Sequence, residues 1–225
     1  MYIASLGKGD QYVNTPEQAI NELLVLVSTA FILQIQLGFA MIENGLVRSK
    51  NSKNILIKNL FDASVGGIAF WLCGFGFAFG DSPGGFIMSD GSMFASAHFA
   101  DHVEKNFYLL WIFHFSFAAT SATIVSGALA ERTQLPSYLG FSALMTGFIY
   151  PVVVGWCWGG GWLGDASKEG KGFHDFSGSG IVHIVGGTAG FIGAAVLGPR
   201  HGKEKNAANR KDVLEDPNTI KWINN

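Results

Sequence analysis

A histidine lies within one of the most apolar stretches of the chain, and this position raises the question of its chemistry. From Ile181 to Leu197 every residue is apolar or small except His183 and Thr188. A threonine in a helix can hydrogen-bond to its own backbone, whereas an imidazole needs a partner or a function. An ionisable group inside such a segment is a candidate functional residue. The alternative is a histidine that only hydrogen-bonds to a neighbouring helix.

The residues around His183 fit a position that lines a cavity or a pore. On a helix, its face is shared by small residues three or four positions away, namely Ser179, Gly180, Gly186 and Gly187. This face leaves room for another helix or a narrow pore. A serine hydrolase is not favoured, because Ser179 lies one helical turn from His183, which is poor geometry for a nucleophile and its base. The chain is therefore not expected to be an enzyme.

Asp175 stands shortly before the same apolar segment, at the expected start of a helix. A carboxylate there caps free backbone N–H groups, and its charge suits the positive end of the helix dipole. A direct role in attracting cations is the other interpretation. The two are compatible, since a capping carboxylate still adds negative potential to its surroundings.

Aromatic residues form the second group of candidates. Phe113 and Phe117 are four residues apart and are expected to stack on one face of a helix. Such a pair is typical of packing, although it also fits a hydrophobic constriction that gates a pore. His114 lies on a different face, where we expect a polar contact within the helix bundle.

Three tryptophans, Trp156, Trp158 and Trp162, flank a run of glycines at residues 159–161. Tryptophans at the end of an apolar segment are typical interface anchors. The glycines are not expected to continue a helix, so the Trp158 ring is free to face a vestibule. An indole face attracts a desolvated cation by about 2 kcal/mol.

Long apolar segments must position these side chains. The chain has 225 residues, of which 48% are hydrophobic and only 14% charged, whereas soluble domains average about 25% charged residues. We predict an all-α membrane protein, because the apolar runs are long enough to cross roughly 30 Å of hydrocarbon. The five predicted membrane helices are Ile20–Met41, Phe61–Phe79, Phe107–Ala130, Tyr138–Trp156 and Gly180–Leu197.

The positive charges predict the orientation of the membrane domain, residues 20–198. They gather in the loop after the first helix, at Arg48, Lys50, Lys53 and Lys58, and in the polar tail, residues 199–225. This places the N-terminal segment, residues 1–19, outside and the tail in the cytoplasm. Glu131 and Arg132, at the inner end of the third helix, are expected to form an ion pair.

Other classes of function find no support in the composition. The net charge of −2 provides no basic face for nucleic acid. The two cysteines, Cys73 and Cys157, lie in separate apolar segments and predict no disulfide framework. No cofactor motif and no metal-ligand spacing occurs, so neither a cofactor nor a metal is predicted.

Several of these stretches together resemble the ammonium transporter family (Amt/Mep/Rh), and its Amt branch in particular. The resemblance extends from about Glu22 to Arg200. The stretches that carry it, in chain order, are "GFAMIENGLVRSKNSKNILIKN", "FGFAFG", "FSFAATSATIVSGALAERTQL", "GFIYPVVVGWCWGGGWL" and "DFSGSGIVHIVGGTAGFIGAAVLGPR". The resemblance implies a homotrimer in the plasma membrane with one pore per subunit. Each subunit has about eleven helices, ten of them in two inverted halves, and this sequence corresponds to the first half.

The resemblance also implies roles for the candidate residues. Trp158 would help to recruit ammonium, or its analogue methylammonium, through cation–π attraction at an outer site. Phe117, with Phe113, would form the phenyl gate below it. Asp175 would support recruitment and pore structure. His183 would be the first of two pore histidines that relay a proton while ammonia crosses a dry lumen.

The sequence contains no counterpart of the family's second half, which holds the second pore histidine. Because the pathway of an inverted-repeat transporter lies between its halves, we interpret the chain as a truncated unit. We expect transport to need a further half, supplied by another copy or by a full-length relative. The alternative is a non-transporting regulatory or dominant-negative subunit, or an inactive fragment, of an ammonium transporter trimer.

Overall fold

The computed structural model of the protein describes residues 15–81, 86–88, 93–97, 99, 106–165 and 172–200. Within this part of the chain there is no strand, and five helices are long and apolar enough to cross a membrane. The predicted all-α membrane architecture is thereby confirmed. The helices are α1 (Pro16–Leu46), α2 (Ser49–Phe79), α3 (Phe107–Leu129), α4 (residues 135–157) and α5 (Ser179–Leu197).

Two helices begin well before their predicted starts, for different reasons. α1 begins at Pro16, because Thr15 and Gln18 form a capping box in which each side chain accepts a hydrogen bond from the other's backbone N–H, both at 3.2 Å. α2 begins at Ser49, within the polar stretch that was predicted to be a loop. The helix continues through this stretch because some of its polar side chains are buried in the bundle.

Lys58 is the clearest of these, and its assignment as a loop charge was wrong. Its side chain is buried in α2, where Nζ donates a hydrogen bond to the Ser126 carbonyl oxygen at 3.1 Å. A salt bridge of 3.4 Å joins Nζ to Glu43 Oε2 of α1. A buried ammonium group needs such a partner, and the partner lies on a different helix.

The bundle is centred on α3, which packs against each of the other four helices. Its buried face carries small side chains, including Ala118, Ala119 and Ala122, and small residues let helix backbones approach closely. In contrast, α1 and α5 keep long apolar faces exposed, such as Phe191 at 76% and Val196 at 80%. These faces suit contact with lipid or with further protein.

The contact between α3 and α5 depends on glycines. A Cβ atom on Gly186 would lie 2.8 Å from the Ser121 carbonyl oxygen, and one on Gly190 would lie 3.1 Å from the Ala128 Cβ. The predicted small-residue face of α5 is therefore divided between its two alternatives, approach of another helix and an open face. Gly186 is buried against α3, whereas a Cβ atom on Gly187 would meet no described atom within 4 Å outside its own helix backbone.

Glu131 joins three chain segments at the C-terminal end of α3. Its Oε1 accepts hydrogen bonds from Arg48 Nε at 3.0 Å and from Asn51 Nδ2 at 2.5 Å, and Oε2 lies 3.4 Å from Arg200 NH1. The predicted Glu131–Arg132 pair is wrong, because Arg132 instead donates to the Ala194 and Gly198 carbonyl oxygens at the end of α5. Arg48 and Asn51 already occupy Glu131 Oε1, and basic side chains commonly hydrogen-bond to the free carbonyl oxygens at the end of a helix.

Substitution of the buried glycine tests the contact between α3 and α5. We expect Gly186→Ala to lower the free energy of unfolding by about 1–3 kcal/mol, because the added methyl group meets a backbone oxygen. Gly187→Ala is the matched control and should not lower stability, because its methyl group meets no described atom within 4 Å and alanine favours a helix. Thermal unfolding of both purified variants in detergent measures the effect, and equal midpoints would contradict the packing described.

The charge on Glu131 predicts a pH dependence of stability. Burial acts to raise the pKa of this carboxyl, but hydrogen bonds from Arg48 and Asn51 outweigh it and hold the pKa below its ordinary value of 4.5. A depressed pKa stabilises the folded chain above pH 4.5, and this contribution disappears as pH falls through the folded-state pKa. The wild-type chain should therefore unfold at higher temperature than Glu131→Gln at neutral pH, and the difference should shrink below pH 4.5. A difference that is independent of pH would contradict this.

Candidate functional site

Three aromatic side chains meet near the N-terminal end of α3. The ring centroids of Phe113 and Phe117 are 5.1 Å apart, and those of Phe117 and Trp158 are 5.6 Å apart. Both pairs are edge to face, with interplanar angles of 87° and 69°. The predicted stacking of the two phenylalanines is therefore corrected to a T-shaped contact, which aromatic rings prefer to a face-to-face sandwich.

The end of α4 fixes the position of Trp158. The helix ends at Cys157, and the Trp158 N–H donates to the Val154 carbonyl oxygen at 2.7 Å. Gly159 follows, and a Cβ atom there would lie 2.1 Å from the Ala78 carbonyl oxygen of α2, so no larger residue fits. The Trp158 ring is half-buried and turned towards Phe117 of α3.

His114 lies behind this aromatic group and is buried. Its ring centroid is 4.3 Å from that of Phe79 and 5.9 Å from that of Trp158. Among the described residues, its Nδ1 has no hydrogen-bond partner. The predicted polar contact is therefore not made at this nitrogen, and the imidazole supports the back of the aromatic group through ring contacts.

Asp175 caps the N-terminal end of α5, as predicted. One carboxylate oxygen accepts from the Gly178 N–H at 2.6 Å, and the other accepts from the N–H groups of Gly180 at 2.5 Å and Ile181 at 3.2 Å. The side chain is buried. Gly178 has a φ of 83°, a conformation that favours glycine and lets the chain turn into the helix.

His183 lies in the first part of α5, which forms a π-helical turn at Ser179–Ile184. Its Nδ1 lies 3.2 Å from the Gly178 carbonyl oxygen of the same segment. A carbonyl can only accept, so this contact favours the tautomer with the hydrogen on Nδ1 and leaves Nε2 as an acceptor. The side chain is exposed, on the face that also carries Gly187.

The contacts between α3 and α5 place these groups in order along the bundle. A Cβ atom on Gly178 would lie 3.7 Å from the Phe117 ring. One turn further along α3, Ser121 Oγ donates to the carbonyl oxygen of Val182, the residue before His183, at 3.2 Å. One turn of helix advances about 5.4 Å. The aromatic group and the histidine therefore lie at successive depths of the same seam.

The sequence predicted five candidates, Trp158, Phe113, Phe117, Asp175 and His183, and the structure places them along one seam. The residues that link them were not predicted. Ser121 and Gly178 connect α3 to the start of α5, and neither carries a distinctive local pattern. Trp156 hydrogen-bonds through Nε1 to the Phe86 carbonyl oxygen at 2.7 Å. In the part of the chain that the structure describes, no three His, Cys, Asp or Glu side chains form a metal site.

The fold and this site define a multi-pass α-helical membrane protein in which an aromatic group precedes a histidine along one seam. The chain belongs to the ammonium transporter family, since the model of the Ammonium Transporter Family matches residues 23–219. This confirms the resemblance drawn from the motifs.

Individual relatives agree with this assignment. The chain is 44% identical over 192 residues to ammonium transporter 1 member 3 of Solanum lycopersicum, a match that covers 82% of this chain and 40% of the relative. It is 38% identical over 203 residues to ammonium transporter Amt2 of Archaeoglobus fulgidus, with 88% and 42% covered.

A solved structure, described as a sensor Amt protein, matches the fold with a TM-score of 0.74 and 35% identity. The match covers 81% of this chain and 45% of that one. The chain thus spans about two fifths of the length of the curated relatives, at 40% and 42%. Its helices correspond to the first half of the transporter fold.

Removal of the Asp175 carboxylate tests how the start of α5 is held. Asp175→Ala leaves backbone N–H groups of Gly178, Gly180 and Ile181 without their acceptor, so we expect a loss of about 2–3 kcal/mol in the free energy of unfolding. Asp175→Asn keeps one acceptor oxygen and should lose less. Hydrogen exchange of these amides measures the opening, and unchanged protection in Asp175→Ala would contradict the capping role.

Proposed function

We propose that this chain forms one wall of a pathway that carries ammonium across a membrane. The observation that carries the proposal is the order of groups along the α3–α5 seam, where the aromatic group of Phe113, Phe117 and Trp158 leads to His183. Membership in the ammonium transporter family supplies the substrate class.

The aromatic group is suited to capture of a cation. Trp158 is half-buried, so one part of its indole is desolvated by packing and the rest can meet a ligand. The Asp175 carboxylate lies at the N-terminal end of α5. It adds negative potential there even though it also caps the helix. We propose that ammonium binds here and that the phenyl rings beyond exclude water and hydrated ions.

His183 supplies the chemistry beyond the phenyl rings. A neutral imidazole costs much less in an apolar pathway than an imidazolium. With Nδ1 engaged by the Gly178 carbonyl oxygen, Nε2 can accept a hydrogen bond from ammonia or from ammonium. Ammonium can release a proton to such a group and continue as ammonia, whereas potassium cannot, which gives a basis for selectivity.

A pathway needs a second wall, which the described residues do not provide. His183 and the apolar residues after it on α5 are exposed, among them Phe191 and Val196. In an inverted-repeat transporter this face meets the other half. We propose that a second half covers it, from another copy of the chain or from a longer relative, within a trimeric assembly.

The distribution of charge supports an orientation with the C-terminal end of α3 in the cytoplasm. Arg48, Arg132 and Arg200 gather at this end, with Lys50 and Lys53 at the start of α2. The positive-inside rule places such a cluster on the cytoplasmic side even without Lys58. We propose the plasma membrane as the location, with the aromatic group facing outwards.

Uptake of labelled methylammonium by cells without ammonium transporters of their own tests the proposal. The chain is expressed alone and together with a full-length relative whose own pore histidine is inactivated. We expect uptake in at least one arrangement, its loss in His183→Ala, and no change in the control Thr188→Ala, which alters another exposed polar residue of α5. Trp158→Ala should weaken apparent affinity about tenfold to thirtyfold, the equivalent of about 2 kcal/mol of cation–π attraction.

Other results of the uptake measurement would contradict the proposal. Absence of uptake in both arrangements, despite normal expression in the membrane, would contradict the proposed transport role. If the chain also lowered the uptake of an intact relative that co-purifies with it, the regulatory or dominant-negative interpretation would replace it. Equal losses in His183→Ala and Thr188→Ala would show that His183 has no specific role.

A further inference from the structure

A buried cluster of charged side chains lies away from the proposed pathway, among α1, α2, α3 and α4. Its charged members are Glu43 of α1 and Lys58 and Asp62 of α2, which are 3%, 7% and 3% exposed. Lys58 Nζ lies 3.4 Å from Glu43 Oε2, and Asn59 Nδ2 donates to the same oxygen at 2.9 Å. Glu43 Oε2 therefore has both an ammonium and an amide donor, whereas Glu43 Oε1 is buried and has no hydrogen-bond partner among the described residues.

Asp62 has different surroundings. Its two oxygens face hydroxyl groups, since Ser142 Oγ of α4 makes a very short hydrogen bond with Oδ1 and Thr123 Oγ1 of α3 lies 3.1 Å from Oδ2. If both acids were ionised, a buried group of two negative charges and one positive charge would result. An uncompensated buried charge is costly, and a carboxyl in this position takes up a proton instead.

The hydrogen-bond contacts of Thr123 also point to a proton on Asp62. Its hydroxyl carries one hydrogen, yet Oγ1 lies 2.5 Å from Gln36 Oε1, 2.9 Å from the Ala119 carbonyl oxygen and 3.1 Å from Asp62 Oδ2. Reversal of the Gln36 amide would make it a donor, but two acceptors would still compete for the one hydrogen. A hydrogen on Asp62 Oδ2, donated to Thr123 Oγ1, resolves the conflict.

We propose that Asp62 is a proton-binding site, occupied at neutral pH, in the interior of the helix bundle. The titratable groups packed around it are Glu43 of α1, Lys58 of α2 and Tyr138 of α4, while α3 contributes hydroxyls such as Thr123. With Glu43 paired to Lys58, the proton on Asp62 leaves the cluster neutral.

A cavity provides a route for this proton. It measures about 500 Å³ and lies between the α1–α2 turn and the α3–α4 turn, where it is lined by both Lys58 and Tyr138. Arg48, whose side chain is 54% exposed, lies at its rim. Asp62 does not line this cavity itself, but Tyr138 does and also hydrogen-bonds to Asp62. We therefore expect the Asp62 proton to exchange, by way of Tyr138, with the solution at the C-terminal end of α3, the side that we propose to be cytoplasmic, separately from His183.

Infrared spectroscopy of the purified full-length chain in lipid nanodiscs at neutral pH tests the proposal. A protonated carboxylic acid shows a C=O stretch above the amide band, and this stretch shifts in heavy water. We expect the band in the wild-type chain, its loss in Asp62→Asn and its retention in Glu43→Gln, the matched control. Ser142→Ala should shift the band, because it removes the hydrogen bond to Oδ1.

A further variant covers the case in which Asp62→Asn does not fold. Lys58→Met deprives Glu43 of its ammonium partner, so a second protonated carboxyl band should appear. No band in the wild-type chain, or a band lost in Glu43→Gln instead of in Asp62→Asn, would overturn the proposal. A missing band together with stability that depends on sodium or potassium would assign the compensating charge to a bound cation. Methylammonium uptake does not enter these measurements, so their outcome is independent of the transport role.

Discussion

The close approach of α5 to α3 determines the geometry of the candidate pathway. Gly186 allows the α5 backbone to reach the Ser121 carbonyl oxygen, and Ser121 Oγ in turn holds the Val182 carbonyl oxygen. His183 is the next residue after Val182, so contact between the two backbones sets its depth relative to Phe117. Side-chain movements change this depth little. A larger residue at the glycine would separate the helices and move the histidine away from the aromatic group.

A second constraint is that polar groups within the membrane bundle must find partners inside the protein. Some hydroxyls on α3 find a partner in their own helix, as Thr120 does by donating to the Ser116 carbonyl oxygen at 2.8 Å. Charged groups cannot do so and reach other helices, as Lys58 and Glu131 show. These long-range contacts hold α1, α2 and the end of α5 against the centre of the bundle, and therefore support a pathway that they do not line.

Local chemistry explains which predictions were confirmed. α3 and α5 were placed to within one residue at each end, because long apolar runs must form hydrogen-bonded helices in a membrane. The capping role of Asp175 followed from its position before the helix, since the N–H groups that donate to it lie only three to six residues away. The ordered motifs, read as a resemblance, identified the family that the family model also matched.

The sequence by itself determined the apolar helices found among the described residues, the family and the candidate residues of the site, since these depend on hydrophobicity and on short-range spacing. Only the tertiary structure decided which glycines are buried, which partner Glu131 takes and that Lys58 lies inside the bundle. Lys58 reaches an oxygen 68 positions away in the chain, and Glu131 bonds to Arg48 at a separation of 83. The physical reason is that a charge beside an apolar run predicts a solvent-exposed loop. Its burial becomes evident only when the structure shows the distant group that neutralises it.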